Sequence, residues 1–234
     1  MQVVFRNTTV QGNAALGIRV RNMSNVTLEE CLIADQTQGG TDSNGGGLVS
    51  GALALAPLAL PALPADQRAK PRPPPPPQHP DCRARTQAVG DGSFLTIAGS
   101  NITGNNCTTG CGVNANGASG LNVTGSRFSG NNAFQQGGAM MLARTPQAII
   151  SDSNFDGNTA LTDGGAIALD TTELWVERVS MSRNIANRSG GALHVYYANL
   201  TASQLAAVDN RAGRGGGVQC DSCELSLIAL TDSR

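Results

Sequence analysis

Ser153-Asn-Phe-Asp-Gly-Asn-Thr-Ala160, followed closely by Asp163-Gly-Gly-Ala-Ile-Ala-Leu-Asp170, is the stretch that decides the fold. Variants of it recur at a fixed step. Asn158 has counterparts at Asn105, Asn131, Asn184 and Asn210, separated by 26, 27, 26 and 26 residues. Gly112, Gly138, Gly165, Gly191 and Gly217 keep the same steps. Two markers in one register over five units define a solenoid, in which each unit packs on its neighbours.

Within a unit, apolar and polar residues alternate, as in a strand with one buried face. Ahead of the asparagine the inward sets are Leu121/Val123/Phe128, Ala148/Ile150/Phe155, Leu174/Val176/Met181 and Leu200/Ala202/Ala207. After the glycines they are Met140/Leu142, Ile167/Leu169, Leu193/Val195 and Val218/Cys220. Glycines and a turn interrupt every unit, which leaves no run long enough for a helix. Coils stacked at the spacing of paired strands rise ~4.8 Å each, so about seven coils make a rod roughly 34 Å long. The repeated asparagine suits a turn, where its amide bonds to the backbone and tolerates left-handed dihedrals. Stacked amides can also bond to one another as a ladder. The glycines suit a bend where a side chain would clash or φ must be positive. The expectation is an all-β, right-handed parallel β-helix.

Phe155-Asp-Gly-Asn158 with Gly164-Gly-Ala-Ile167 resembles the paired FxxN and GGAI motifs of polymorphic outer-membrane protein repeats. Phe128-Ser-Gly-Asn131 with Gly137-Gly-Ala-Met140 is a second match, and Met181-Ser-Arg-Asn184 with Gly190-Gly-Ala-Leu193 a third, in which Met replaces Phe. The resemblance runs over roughly residues 94 to 224. It implies a bacterial surface β-helix of the pectin-lyase-like architecture, carried by an autotransporter and acting in adhesion. Membrane association is expected only through segments outside this sequence.

The 234 residues carry a formal net charge of −1, with 14% charged residues, 3% aromatics and 29 glycines. That is too apolar for wholesale disorder and too glycine-rich for a helical protein. Near-neutral charge removes the electrostatic argument for nucleic acid as a partner. Met1-Gln-Val-Val-Phe-Arg has neither the basic nor the apolar region of a signal peptide. Val3, Phe5 and Val10 already occupy inward positions, and Leu225, Leu227 and Leu230 begin another coil. No polar cap is evident, so a piece of a longer protein or a misassembled gene product is expected.

Residues 1–48 hold the first coils, with Val10-Gln-Gly-Asn13 and Gly17-Ile18 as versions of the motif. From Gln36, which takes the asparagine place, to Asn105 is 69 residues, one 26-residue period plus an excess of 43. The excess falls at 49–92, which is Ala/Leu-rich to Pro64 and carries five successive prolines at 73–77. Such a proline run is extended and has no internal hydrogen bonds. The segment reads as a disordered insertion or as translated non-coding sequence. Pro57, Pro61 and Pro64 argue against a membrane span through its apolar part, 48–65. From 93 to 234 the coils are continuous.

Eight Asn-x-Ser/Thr sequons occur, at Asn7, Asn22, Asn25, Asn101, Asn106, Asn122, Asn187 and Asn199. They point to a secreted glycoprotein, or they arise where asparagine turns meet threonine-rich strands. Cys107 with Cys111, and Cys220 with Cys223, are spaced for local disulfides in an oxidising compartment. Reduced core thiols are the alternative. Neither pair has a histidine nearby, so no metal site is expected, and no cofactor. Asp170 and Asp221 share an outward row with Tyr196, Asn116 and Arg21, while Asp152, Asp156 and Asp163 lie near turns. Carboxylates two coils apart sit roughly 9–10 Å from each other, near the upper limit for an inverting glycosidase. No catalytic motif accompanies them, so no catalytic residue is assigned. Trp175, Tyr196 and Tyr197 fall in neighbouring strands. Trp175 and Tyr196 are candidates for stacking on a ligand, against the alternative of packing beneath a loop.

Two functions follow. The first is a non-catalytic extracellular or cell-surface β-helix of adhesion or matrix type, binding carbohydrate or a cell-surface protein. The second is a carbohydrate-active enzyme of the pectin-lyase-like class. A convergent carboxylate pair beside a basic residue in a groove would favour the enzyme. A flat Asn/Ser/Thr-rich face would favour the surface module.

Overall fold

A computed structural model describes residues 2–11, 19–20, 25–34, 86–89 and 92–233. They form an all-β parallel solenoid with a period of about 26 residues and about six turns, against the seven counted from sequence. Sheets of thirteen and seven strands run from the first described coil to the last, a four-stranded sheet spans the coils between Asn106 and Ala186, and every strand pair between coils is parallel.

The inward residues stack in columns. Leu95, Leu121, Ala148, Leu174 and Leu200 align across coils, as do Val113, Met140, Ile167, Leu193 and Val218. Most are fully buried, each large side chain stabilising by about 1.5–3 kcal/mol relative to exposure. The rings of Phe128 and Phe155 lie 4.8 Å apart and 6° from parallel, so they copy the backbone repeat.

Two corners show how polar residues enter this core. At the first, Ser100 N–H donates to Ser126 Oγ and Ser126 N–H to Ser153 Oγ, both at 3.1 Å. The column continues as Val179 and Leu205. There the chain passes the corner within single ten-residue strands, Glu173–Ser182 and Asn199–Val208. At the second corner stand the repeated asparagines. Asn105, Asn131, Asn158 and Asn184 each donate from Nδ2 to the Oδ1 of the next, at 2.8 to 3.0 Å. Each Oδ1 also accepts the preceding asparagine's backbone N–H, and the second Nδ2 proton reaches a carbonyl one coil back. The first four are fully buried, so this bonding removes what would be a large desolvation cost.

Two details differ from expectation. The left-handed residue of this corner is not the asparagine but the one before it, Gly104, Gly130, Gly157, Arg183 or Asp209, with φ of 53 to 65°. The asparagine thereby keeps the dihedrals that aim its amide along the stack. The glycine row is also displaced at its ends. Val113 pairs with Met140 and Leu193 with Val218, which places Cys111 and Gly216, not Gly112 and Gly217, in line with Gly138, Gly165 and Gly191. Loops one residue shorter after Asn105 and Asn210 cause the shift. A Cβ at Gly138, Gly165 or Gly191 would collide with the carbonyl oxygen of Gly165, Gly191 or Gly216.

Val26 pairs with Leu95 and Ile33 with Ile102, so the 69-residue step is a single coil. Strand Thr86–Val89 lies inside the 49–92 segment assigned to the insertion and pairs with Val113–Asn116, so the solenoid resumes ahead of Ser93. The apolar and proline-rich residues of that segment lie outside the described residues, as do Asn13, Gly17 and Ile18.

Candidate functional site

The seven-stranded sheet presents two outward rows. One is Asn114, Met141, Ala168, His194 and Gln219, and the other Asn116, Ala143, Asp170, Tyr196 and Asp221. Arg21, expected in the second row, lies outside the described residues. Loops that lead into these strands stack as well, through backbone bridges from Asp163 to Ser189 and from Ser189 to Arg214. The loops stand over the first row, so His194 is only 7% exposed although it points away from the core. Between loop row and strand row runs a groove of about 490 Å³, lined by Gln136, Asp163, Arg188 and Arg214 on one side and Asp170, Tyr196 and Asp221 on the other.

Charges in this groove are mostly paired. The buried Asp163 carboxylate accepts from Arg188 Nε at 2.8 Å and from Arg188 Nη2, with Gln136 Nε2 at 3.4 Å. Burial alone would raise the Asp163 pKa, but the bonds from Arg188 and the field of His194 outweigh it and hold the carboxyl below its ordinary value. Asp221 bonds to His194 Nε2 through one oxygen and accepts from Gln219 Nε2 through the other, both at 2.9 Å. Its pKa is lowered by His194 first and Gln219 second. The Asp170 carboxylate accepts only the Thr171 hydroxyl, at 2.9 Å, among the described residues. Arg214 makes no ion pair among the described residues.

Tyr196 is 42% exposed, and the edge-on ring of Tyr197, centroids 4.4 Å apart, supports it. Trp175 is exposed too, but it stands on the thirteen-stranded sheet in a row with Ile149 and Thr201. The two aromatics therefore face out from different sheets and form no joint platform. Neither packs beneath a loop. Asp152 and Asp156 lie outside the groove, paired with Arg178 and Arg183.

Cys107 is disulfide-bonded to Cys111 and Cys220 to Cys223. The first bridge joins the small-residue column of Ala133 and Ala160. The second ties an inward strand residue to the following corner, where Thr145, Thr172 and Ala198 stand in earlier coils. Asn7, Asn25, Asn101, Asn106, Asn187 and Asn199 are exposed, Asn122 is half-buried and Asn22 lies outside the described residues. No sequon asparagine belongs to the buried ladder. No cluster of metal-ligating side chains occurs among the described residues.

Residues 152–170 match the Chlamydia polymorphic membrane protein repeat. The match lies within a single coil of the solenoid. The matched repeat contains the ladder residue Asn158, the glycine pair at 164 and 165, and both Asp163 and Asp170 of the groove. No curated protein and no solved structure matches the chain.

His194 and the loop wall went unrecognised in the sequence. His194 and Asp221 are 27 residues apart in a coil whose strand register is 25, so spacing alone places them on adjacent rows without pairing them. Asp163 could be placed only near a turn, because the stacking of loops is a tertiary event.

Proposed function

We propose that this chain is a non-catalytic extracellular or cell-surface β-helix module of adhesion or matrix type, wound right-handed as parallel crossovers are. The observation that carries the reading is where the chain departs from its repeat. The asparagine corner repeats one residue type over five coils, whereas the groove corner changes residue from coil to coil and lines an open groove. A rigid rod with one variable, open groove is built to hold a partner, here a carbohydrate or a cell-surface protein. The polymorphic membrane protein repeat supports a surface location. Six exposed sequons and two local disulfides support an extracytoplasmic one. With three aspartates against two arginines, the groove lacks the basic surface that nucleic acid needs.

A second reading, a carbohydrate-active enzyme, is favoured by one observation: Asp170 and Asp221 share a row two coils apart. That pair lies at roughly the 9–10 Å limit for inversion. Against it, Asp163 and Asp221 are held below the ordinary carboxyl range, the opposite of what a proton donor requires.

The purified protein, coated on beads, is tested for retention of cultured cells and for release of reducing ends or unsaturated sugars from a polysaccharide panel. Retention that falls in an Arg214→Ala, Tyr196→Ala double variant, with no release, supports the module. Release that disappears in Asp221→Asn would establish the enzyme instead.

A further inference from the structure

We propose that the groove binds a neutral oligosaccharide, with one sugar ring stacked on Tyr196 and the saccharide running along the solenoid axis. The inference rests on the reading of the groove as a binding surface and adds the ligand class and its pose.

Asp170, Tyr196 and Asp221 occupy one outward row on three successive coils, so an exposed phenol ring stands between two carboxylates at steps of about 4.8 Å. An exposed aromatic face takes the apolar C–H face of a pyranose, and flanking carboxylates accept its hydroxyls. Tyr197 fixes the ring from its edge, so little freedom is lost on binding. Asp221 is oriented by His194 and Gln219 yet retains lone pairs, and the Asp170 carboxylate has only Thr171 as partner among the described residues. Across the groove Arg214 and Gln136 supply donors.

The charge pattern selects the class. A polyanionic glycan would meet two carboxylates on the strand row, and a basic peptide would meet Arg188 and Arg214 on the loop row. A neutral, hydroxyl-rich ligand meets planar donors on one side and acceptors on the other. A volume of about 490 Å³, open along the axis, suits a short oligosaccharide better than a single sugar.

The full chain is applied to an array of neutral, sialylated and uronate-bearing oligosaccharides, and the best neutral ligand is titrated by calorimetry. Retention of neutral members is expected. Tyr196→Ala should weaken binding roughly three- to tenfold. Tyr196→Phe should bind nearly as the natural chain, Asp170→Asn should bind more weakly, and Trp175→Ala on the other sheet should change nothing. Unchanged unfolding curves would show that the variants fold. Retention of acidic members only, of none, or undiminished binding by Tyr196→Ala would overturn the proposal. Cell retention that depends on Tyr196 but resists competition by neutral saccharides would overturn the ligand class while leaving the surface module standing.

Discussion

The asparagine corner and the groove corner face different fates within the same coils. Both are polar interruptions of an apolar solenoid, and both recur every coil. At the first, Asn105 to Asn210 stay identical and bond to one another in a ladder that is buried over its first four members. At the second, Gln136, Asp163, Ser189 and Arg214 replace one another in a single stacked position and line a groove. A buried amide must be met by an identical amide above and below, so substitution there is penalised on three coils at once. A loop position at the groove has no identical partner to match: Asp163 is met by Arg188 and Arg214 by solvent, so its side chain is free to change. Repetition marks the scaffold, and departure from it marks the surface available for recognition.

The sharpest way to break this comparison is Asn158→Ala. It leaves the Asn131 N–H and amide and the Phe128 carbonyl without their partner inside the core. Unfolding in urea should show a loss of about 3–4 kcal/mol. A loss below about 1 kcal/mol would mean that the ladder is decoration rather than scaffold. Gly165→Ala comes next, because its Cβ would meet the Gly191 carbonyl and the Ile185 backbone of the next coil. About 1–3 kcal/mol is expected from the same measurement.

Asp163→Asn sharpens the comparison from the groove side, where a buried carboxylate is paired with a mostly exposed arginine. Solvent around Arg188 keeps the expected loss near about 2 kcal/mol at neutral pH. The folded carboxyl has a lowered pKa, so its contribution is complete above the unfolded value of about 3.9 and fades as pH falls through the folded one. Unfolding curves of the natural chain and the variant should therefore converge below about pH 4. Curves that stay parallel would show that the ion pair contributes nothing. The smallest stability effect belongs to Tyr196→Ala, within about 0.5 kcal/mol, because its ring is solvent-facing. A larger loss would make Tyr196 part of the scaffold and erase the contrast between the corners.

The coils, their inward columns and the ladder were all legible in the sequence. Asn158 and its four counterparts keep step because each must reach the next amide, and a geometric demand of that kind appears directly as spacing. Phe128 over Phe155 and Ile167 over Leu193 follow from the repeat for the same reason. The positive-φ residue beside each asparagine was less legible, since Gly130 and Gly157 become Arg183 and Asp209 where the corner leaves room for a side chain.

By itself, then, the sequence determined the parallel solenoid, its period and its inward face, because a stacked repeat turns tertiary contacts into a periodicity along the chain. Only the tertiary structure decided that His194 meets Asp221, that Asp163 meets Arg188, and that Trp175 and Tyr196 face out from different sheets. Those relations join residues from different rows of the coil. They depend on how loops one residue longer or shorter fold back over a strand, and such folding leaves no period to read.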